Sequence, residues 1–202
     1  MHDTFRCRAI RAAAVKTVTA AAVGAAVLFA AGCVSDTDEA TPVSSTGAAA
    51  TSTIAGQQGI DQGGATDIDV TVGDCVALGG TMSAATIDEA VCGSPESNYR
   101  VIAKAEQNTQ CPTDADQVYY ESLNGTEQGA LCLDIDWVLD GCMSIPTGTD
   151  DPHRVDCTDP AATNVERVTA ILEDTTDVAG CSDGGYTYPE RRFTVCTESV
   201  TT

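Results

Sequence analysis

Large rings are scarce in this chain. One Trp, five Tyr and three Phe make aromatics 4% of 202 residues, so a core built mainly from them is excluded. Histidine is scarcer still, at two residues. Only His153 follows the apolar leader described below, and it lies in the polar run Asp150-Asp151-Pro152-His153-Arg154. That setting reads as a surface loop, and no G-x-S-x-G or neighbouring free cysteine offers it a nucleophile. No Gly-rich loop runs into Lys-Ser or Lys-Thr, which excludes a phosphate cradle of the P-loop type, and Asp183-Gly184-Gly185 reads as a turn. No cysteine lies within a C-x₂₋₄-C pair, which excludes the usual zinc sites. Positive charge is also thin: ten Lys and Arg face 30 Asp and Glu, for a net charge of −20. A chain of this charge repels nucleic acid, so nucleic-acid binding is excluded.

The few cations are unevenly placed. Arg6, Arg8, Arg11 and Lys16 precede an uncharged Ala- and Val-rich run at residues 18–31, which ends in Gly32-Cys33. A basic start, a short apolar run and small residues before a cut site form a secretory signal peptide. The run is too short for the roughly 20 apolar residues that cross a bilayer. The segment Leu28-Phe29-Ala30-Ala31-Gly32-Cys33 resembles the lipobox of bacterial lipoproteins, with Ala30 standing where the family usually has Leu. The resemblance implies cleavage before Cys33, a thioether from its sulfur to diacylglycerol, and a further acyl chain such as palmitate on its amino group. Two or more chains give a stable anchor. From Cys33 onward six cations stand against 29 acids, a balance of −23.

Residues 33–66 read as a lipidated cysteine followed by a disordered linker of Ser, Thr, Ala, Gly, Asp and Gln. Such a stretch cannot offset its ordering entropy. Its coil reach is roughly 30 Å, enough to lift a domain off a surface. The ordered part is expected from Asp67, where Asp67-Ile68-Asp69-Val70-Thr71-Val72 alternates like a half-buried strand. Further strands are predicted at 86–92, 99–105, 117–123, 130–138, 154–157, 165–172, 186–188 and 192–197, with 165–172 also readable as a helical turn. Breakers such as Gly79-Gly80, Asn124-Gly125 and Asp159-Pro160 fall between them. Many short strands separated by turns indicate a mainly β fold.

Eight cysteines organise this region. Cys75, Cys92, Cys111 and Cys132 recur as Cys142, Cys157, Cys181 and Cys196, displaced by 67, 65, 70 and 64 residues. Neighbouring residues recur too: Gly73-Asp74-Cys75-Val76 with Asp140-Gly141-Cys142-Met143, and Arg100-Val101-Ile102-Ala103 with Arg167-Val168-Thr169-Ala170. A duplication is the simplest account. It gives two tandem disulfide-stapled β modules, 67–138 and 139–202, after a signal peptide at 1–32 and the linker at 33–66. In an oxidising compartment eight thiols form a disulfide framework. Pairing of neighbours is favoured (Cys75–Cys92, Cys111–Cys132, Cys142–Cys157, Cys181–Cys196), with crossed pairings left open by the spacing. Each closure contributes about 3 kcal/mol in the chain-entropy model.

Acid pairs at Asp67/Asp69, Asp114/Asp116 and Asp134/Asp136 are the remaining candidates for chemistry. Within a strand, Asp134 and Asp136 share a face, which admits Ca²⁺ binding or glycosidase-like use, and alternation on a solvent face explains them more simply. Arg191-Arg192 is expected to pair with nearby acids. Trp137, at the join of the halves, is expected to pack between modules with Ile135 and Leu139.

Several segments together resemble the LppU-type lipoproteins of mycobacteria and other actinobacteria. They are Val72-Gly73-Asp74-Cys75, Asn98-Tyr99-Arg100-Val101-Ile102, Gln110-Cys111-Pro112, Leu131-Cys132-Leu133-Asp134-Ile135-Asp136-Trp137, Arg154-Val155-Asp156-Cys157 and Arg192-Phe193-Thr194-Val195-Cys196. The resemblance implies a cell-envelope lipoprotein and no established activity. The expected function is therefore a non-catalytic binding or accessory role at the extracytoplasmic face of the cell membrane. The lipid anchor would hold the membrane, and an envelope protein or cell-wall component would be the partner, with no cofactor and no metal. The alternatives are a divalent-cation-dependent adhesion or sensor module and a hydrolase using paired carboxylates.

Overall fold

The computed structural model describes the backbone of Thr4–Ile10 and residues 53–201. Cys33 and most of the linker lie outside the described residues. Strand β1 is Thr4–Ile10. The first module contributes β2 (Cys75–Thr81), β3 (Ala84–Ala90), β4 (Tyr99–Ala105), β5 (Gln117–Leu123) and β6 (Thr126–Ile135). The second contributes β7 (Cys142–Ser144), β8 (His153–Val155), β9 (Val165–Glu173), β10 (Gly184–Tyr188) and β11 (Phe193–Val200). Two antiparallel sheets result, ordered β1-β5-β6-β4-β2-β3 and β10-β11-β9-β7-β8.

Setting β1 aside, the two orders are the same when each strand is replaced by its counterpart in the other module. The match extends to register. Cys75 pairs with Arg100 and Ala90, and Cys142 pairs with Arg167 and Val155. Cys132 faces Ala103, and Cys196 faces Ala170. The four disulfides join Cys75–Cys92, Cys111–Cys132, Cys142–Cys157 and Cys181–Cys196, the pairing that the spacing favours.

The modules share one core. Val76, Tyr99, Leu131 and Leu133 of the first sheet pack in the same cluster as Met143, Val168, Phe193 and Val195 of the second, with Trp137 among them. On the other side of the first sheet, Ile102, Ala105, Val118 and Ala130 gather around the Cys111–Cys132 bond. Sulfur and alanine fill there what aromatic rings fill in richer cores.

Two readings change. The Asp67–Val72 run alternates in burial, with Val70 1% exposed, but forms no ladder. Its backbone is held by side chains instead, Thr71 N donating to Asp74 Oδ2 at 2.7 Å, Asp67 N to Glu121 Oε2 at 2.9 Å, and Lys104 Nζ to the Val70 carbonyl at 3.0 Å. Residues 53–66, expected as linker, lie on the fold instead. Ile54 is buried, Ala55–Gln57 forms a 3₁₀ turn, and Asp61 bridges to Lys104 in β4. Close approach is possible because Gly129 has no side chain: a Cβ there would sit 2.5 Å from Ala65 N. Val165–Glu173 is a strand, as expected for 165–172, paired with β11 along its length and with β7 at Val165, Glu166 and Arg167.

Replacing Cys111 and Cys132 together with Ala is expected to cost about 3 kcal/mol of unfolding free energy. Urea titration of the oxidised protein, with and without the pair, measures it.

Candidate functional site

The charged residues that stand out in sequence converge on the joint between the modules. The β10–β11 hairpin carries Arg191 at its tip, between Pro189 and a left-handed Arg192 (φ 57°). The tip plugs into the Thr113–Asp116 loop of the first module. Arg191 Nε donates to Asp114 Oδ1 at 2.8 Å, Nη2 to the Asp114 carbonyl at 2.9 Å, and Nη1 to Asp134 Oδ2 at 2.5 Å. Backbone amides complete the grip, Glu190 N and Arg191 N both donating to Asp114 Oδ2. In return Thr113 N and Oγ1 donate to Glu190 Oε2. The guanidinium carbon lies 5.0 Å from the centre of the Tyr188 ring and 5.3 Å from that of Phe193, and those rings stack 4.2 Å apart. Cation–π attraction thus adds to the charge pairing.

A second arginine enters from β8. Arg154 donates to the Asp136 carbonyl, to Asp136 Oδ2 and to the Ser94 carbonyl. Asp136 also takes Arg100 Nη2 on Oδ1, and Gly93 N and Ser97 Oγ on Oδ2. Asp134 and Asp136 are both fully buried, which overturns the reading of a solvent face. Their burial makes sense only with these donors, because an unpaired buried carboxylate is expensive. Asp134 takes a further bond from Gln57 Nε2 at 3.2 Å, while its Oδ1 has no hydrogen-bond partner among the described residues.

Between the arginines runs a polar chain. Trp137 Nε1 donates to Tyr188 Oη at 2.8 Å, and Tyr188 Oη donates to Asp116 Oδ2 at 2.8 Å. Ile135 N donates to the same Asp116 oxygen at 2.9 Å. Trp137 also packs on Tyr186, with ring centres 5.0 Å apart. It therefore lies between the modules as expected, beside buried Ile135, but Leu139 is 47% exposed and takes no part in that packing. Burial, with the neighbouring Asp134 carboxylate, pushes the Asp116 carboxyl up to about 7. Burial raises Asp134 as well, to about 6, with Arg191 pulling the other way. Arg191 favours the ionised form of Asp134, and burial beside that carboxylate favours the protonated form of Asp116.

The other candidates disperse. His153 is exposed at the start of β8, and Gly184-Gly185 opens β10 rather than forming a loop. Arg192 reaches Asp174 at 4.0 Å on the surface. Asp67 and Asp69 join Ile87, Asp88 and Glu89 around a cleft of about 430 Å³. Among the described residues, the atoms grouped closely enough for a metal belong to Cys75, Cys92 and Asp136. The two sulfurs are bonded to each other, so they are not thiolate ligands. Gln57, Arg100, Arg154 and Tyr188 were not singled out in sequence. The signal open to reading was the scarcity of cations, since each one set among so many acids must have a job.

Asp116 binds its proton more tightly folded than at the usual 3.8 of the unfolded chain. Its contribution to stability is therefore full below about pH 4 and is lost as pH rises toward 7. Asp116→Asn keeps an acceptor for Ile135 N and Tyr188 Oη, and is expected to stabilise the protein by about 2 kcal/mol at pH 8 and to leave it unchanged at pH 4. Thermal melts across that range measure the difference. Arg191→Met strands Asp134 and is expected to cost about 3–5 kcal/mol, read by urea unfolding at pH 8. No protein-family profile, curated protein or solved structure matches the chain.

Proposed function

We propose that this protein is an exported lipoprotein, anchored through Cys33 at the outer face of an actinobacterial cell membrane, where it serves as a non-catalytic binding or accessory component of the envelope. One combination carries the reading. A basic, apolar and small-residue leader ends at a cysteine, and the chain beyond it is closed by four disulfides. Disulfides of this density belong to oxidising compartments, and a lipidated cysteine supplies the tether. The segments shared with LppU-type lipoproteins support the same assignment.

The joint supports a non-catalytic role. Its carboxylates are held by arginines, backbone amides and hydroxyls in a packed interior, where a substrate would have to displace the contacts that unite the modules. No helix among the described residues is long and apolar enough to cross a membrane, and the proposed anchor needs none.

Cys33→Ala is expected to release the protein from washed membranes into the soluble fraction, and immunoblotting of the two fractions reads the outcome. Unchanged membrane retention refutes the anchor. The rival divalent-cation module draws on the acids of the Asp67–Glu89 cleft. Millimolar Ca²⁺ is expected to leave the melting temperature where it was, and a clear rise would favour the rival.

A further inference from the structure

The first sheet is rolled so far that its two ends meet. Strand β1 sits at one end, antiparallel to β5 from Thr4↔Leu123 to Ile10↔Gln117. Its other side runs alongside β3, the strand at the far end of the sheet. A single extended strand thus fills a seam between β3 and β5. That strand belongs to the leader, which leaves the mature protein under the reading proposed above. Its departure exposes the edge of β5 over the seven residues Gln117–Leu123.

Gln117-Val118-Tyr119-Tyr120-Glu121-Ser122-Leu123 contains no Lys and no Pro, the residues that commonly blunt an open strand, and it is rich in β-formers. The equivalent edge in the second module, β10, is five residues long and begins Gly-Gly, a poorer template.

The seam also carries a charge pattern. The acidic cleft lies in it: Asp88 and Glu89 belong to β3, while Asp67 N donates to Glu121 Oε2 on β5 at 2.9 Å. The strand that occupies the seam in the full chain is Thr-Phe-Arg-Cys-Arg-Ala-Ile, whose Arg6 and Arg8 stand at the register positions of Glu121 and Tyr119. Residues two apart in a strand share a face, so a fitting occupant places cations at alternate positions.

We propose that the β3–β5 seam of the mature protein is a strand-addition site for an extended cationic segment of another exported protein, bound by main-chain pairing to β5 and by the carboxylates of Asp67, Asp69, Asp88 and Glu89. Strand addition draws affinity from the backbone and selectivity from alternate side chains. The inference rests on removal of the leader.

The test uses the lipoprotein purified from membranes in detergent, its N-terminus read by intact mass. The probe is a labelled synthetic peptide with the sequence of Thr4–Ile10 carrying Cys7→Ser. Fluorescence anisotropy is expected to show saturable binding. Binding should weaken by about tenfold or more when Arg6→Glu and Arg8→Glu are built into the peptide, or when salt is raised to 0.5 M. It should vanish when alternate peptide amides are N-methylated, a change that leaves the protein untouched. An Asp88→Asn, Glu89→Gln protein, altered on an exposed strand, should bind the parent peptide more weakly with an unchanged melting temperature. A cleaved protein that ignores the peptide, or takes the N-methylated form equally well, overturns the seam proposal alone. Concentration-dependent dimerisation relieved by the peptide would put a second copy in the seam and overturn the cationic occupant. A mature mass that retains residues 4–10 overturns both the seam and the export reading.

Discussion

Two arginines reaching from the second module into carboxylates of the first are the constraint on which the rest of the structure depends. Asp134 and Asp136 are buried in the middle of the shared core, a place where a carboxylate needs a close cationic or hydrogen-bonding partner. Arg191 and Arg154 answer that need from the other module. Module pairing is therefore more than apolar contact. If the modules were pulled apart, Asp134 would lose Arg191 and Asp136 would keep Arg100 but lose Arg154, so the modules should separate only when the fold itself opens. The packing of Trp137 against Tyr186, the Tyr188–Phe193 stack and the strap at Ala55–Gln57 all gather around the same two ion pairs.

The duplication shows how burial turns one element to two uses. Arg100 and Asp134 face each other across β4 and β6, and Arg167 and Glu198 occupy the equivalent register across β9 and β11. In the second module the pair stays on the surface and bonds to itself, Arg167 Nη2 donating to Glu198 Oε1. In the first module the same positions are buried, and the partners have separated: Arg100 turns to Asp136 and Asp134 turns to Arg191. A solvent-exposed cross-strand pair is worth little. Inside, the same residue types fix the relative placement of the two modules.

Much of this could be read along the chain, because local pattern governs strands. Tyr99–Ala105 and Gln117–Leu123 fall at their expected bounds, and the cysteine recurrence anticipates the shared sheet order. Local pattern failed where distant partners decide. Gly79-Gly80 looks like a break, yet β2 runs through both, and the hairpin turns at Met82-Ser83. Asp134 and Asp136 look like solvent-facing alternation because the arginines that bury them lie 57 and 18 residues away. Ile54 and Gln57 sit in a stretch whose composition signals linker, and only the groove beside β4 and β6 gives them a place. The sheet seam, made by strands at opposite ends of the order, leaves no mark in sequence.

The sequential pairing of the cysteines bears on how the chain matures. Each loop is closed before the next one begins, and none encloses another. A ribosome releases the chain from its N-terminus, so oxidation can follow synthesis without reshuffling any earlier bond. The charge pairs keep a different calendar. Asp134 must wait for Arg191, 57 residues further along, so a nascent chain with its first two cystines already closed still carries an interior carboxylate without its arginine. The centre of the fold is thereby closed by the β10–β11 hairpin, and a chain truncated before that hairpin would have its earlier cystines stapled yet be unfinished at its centre.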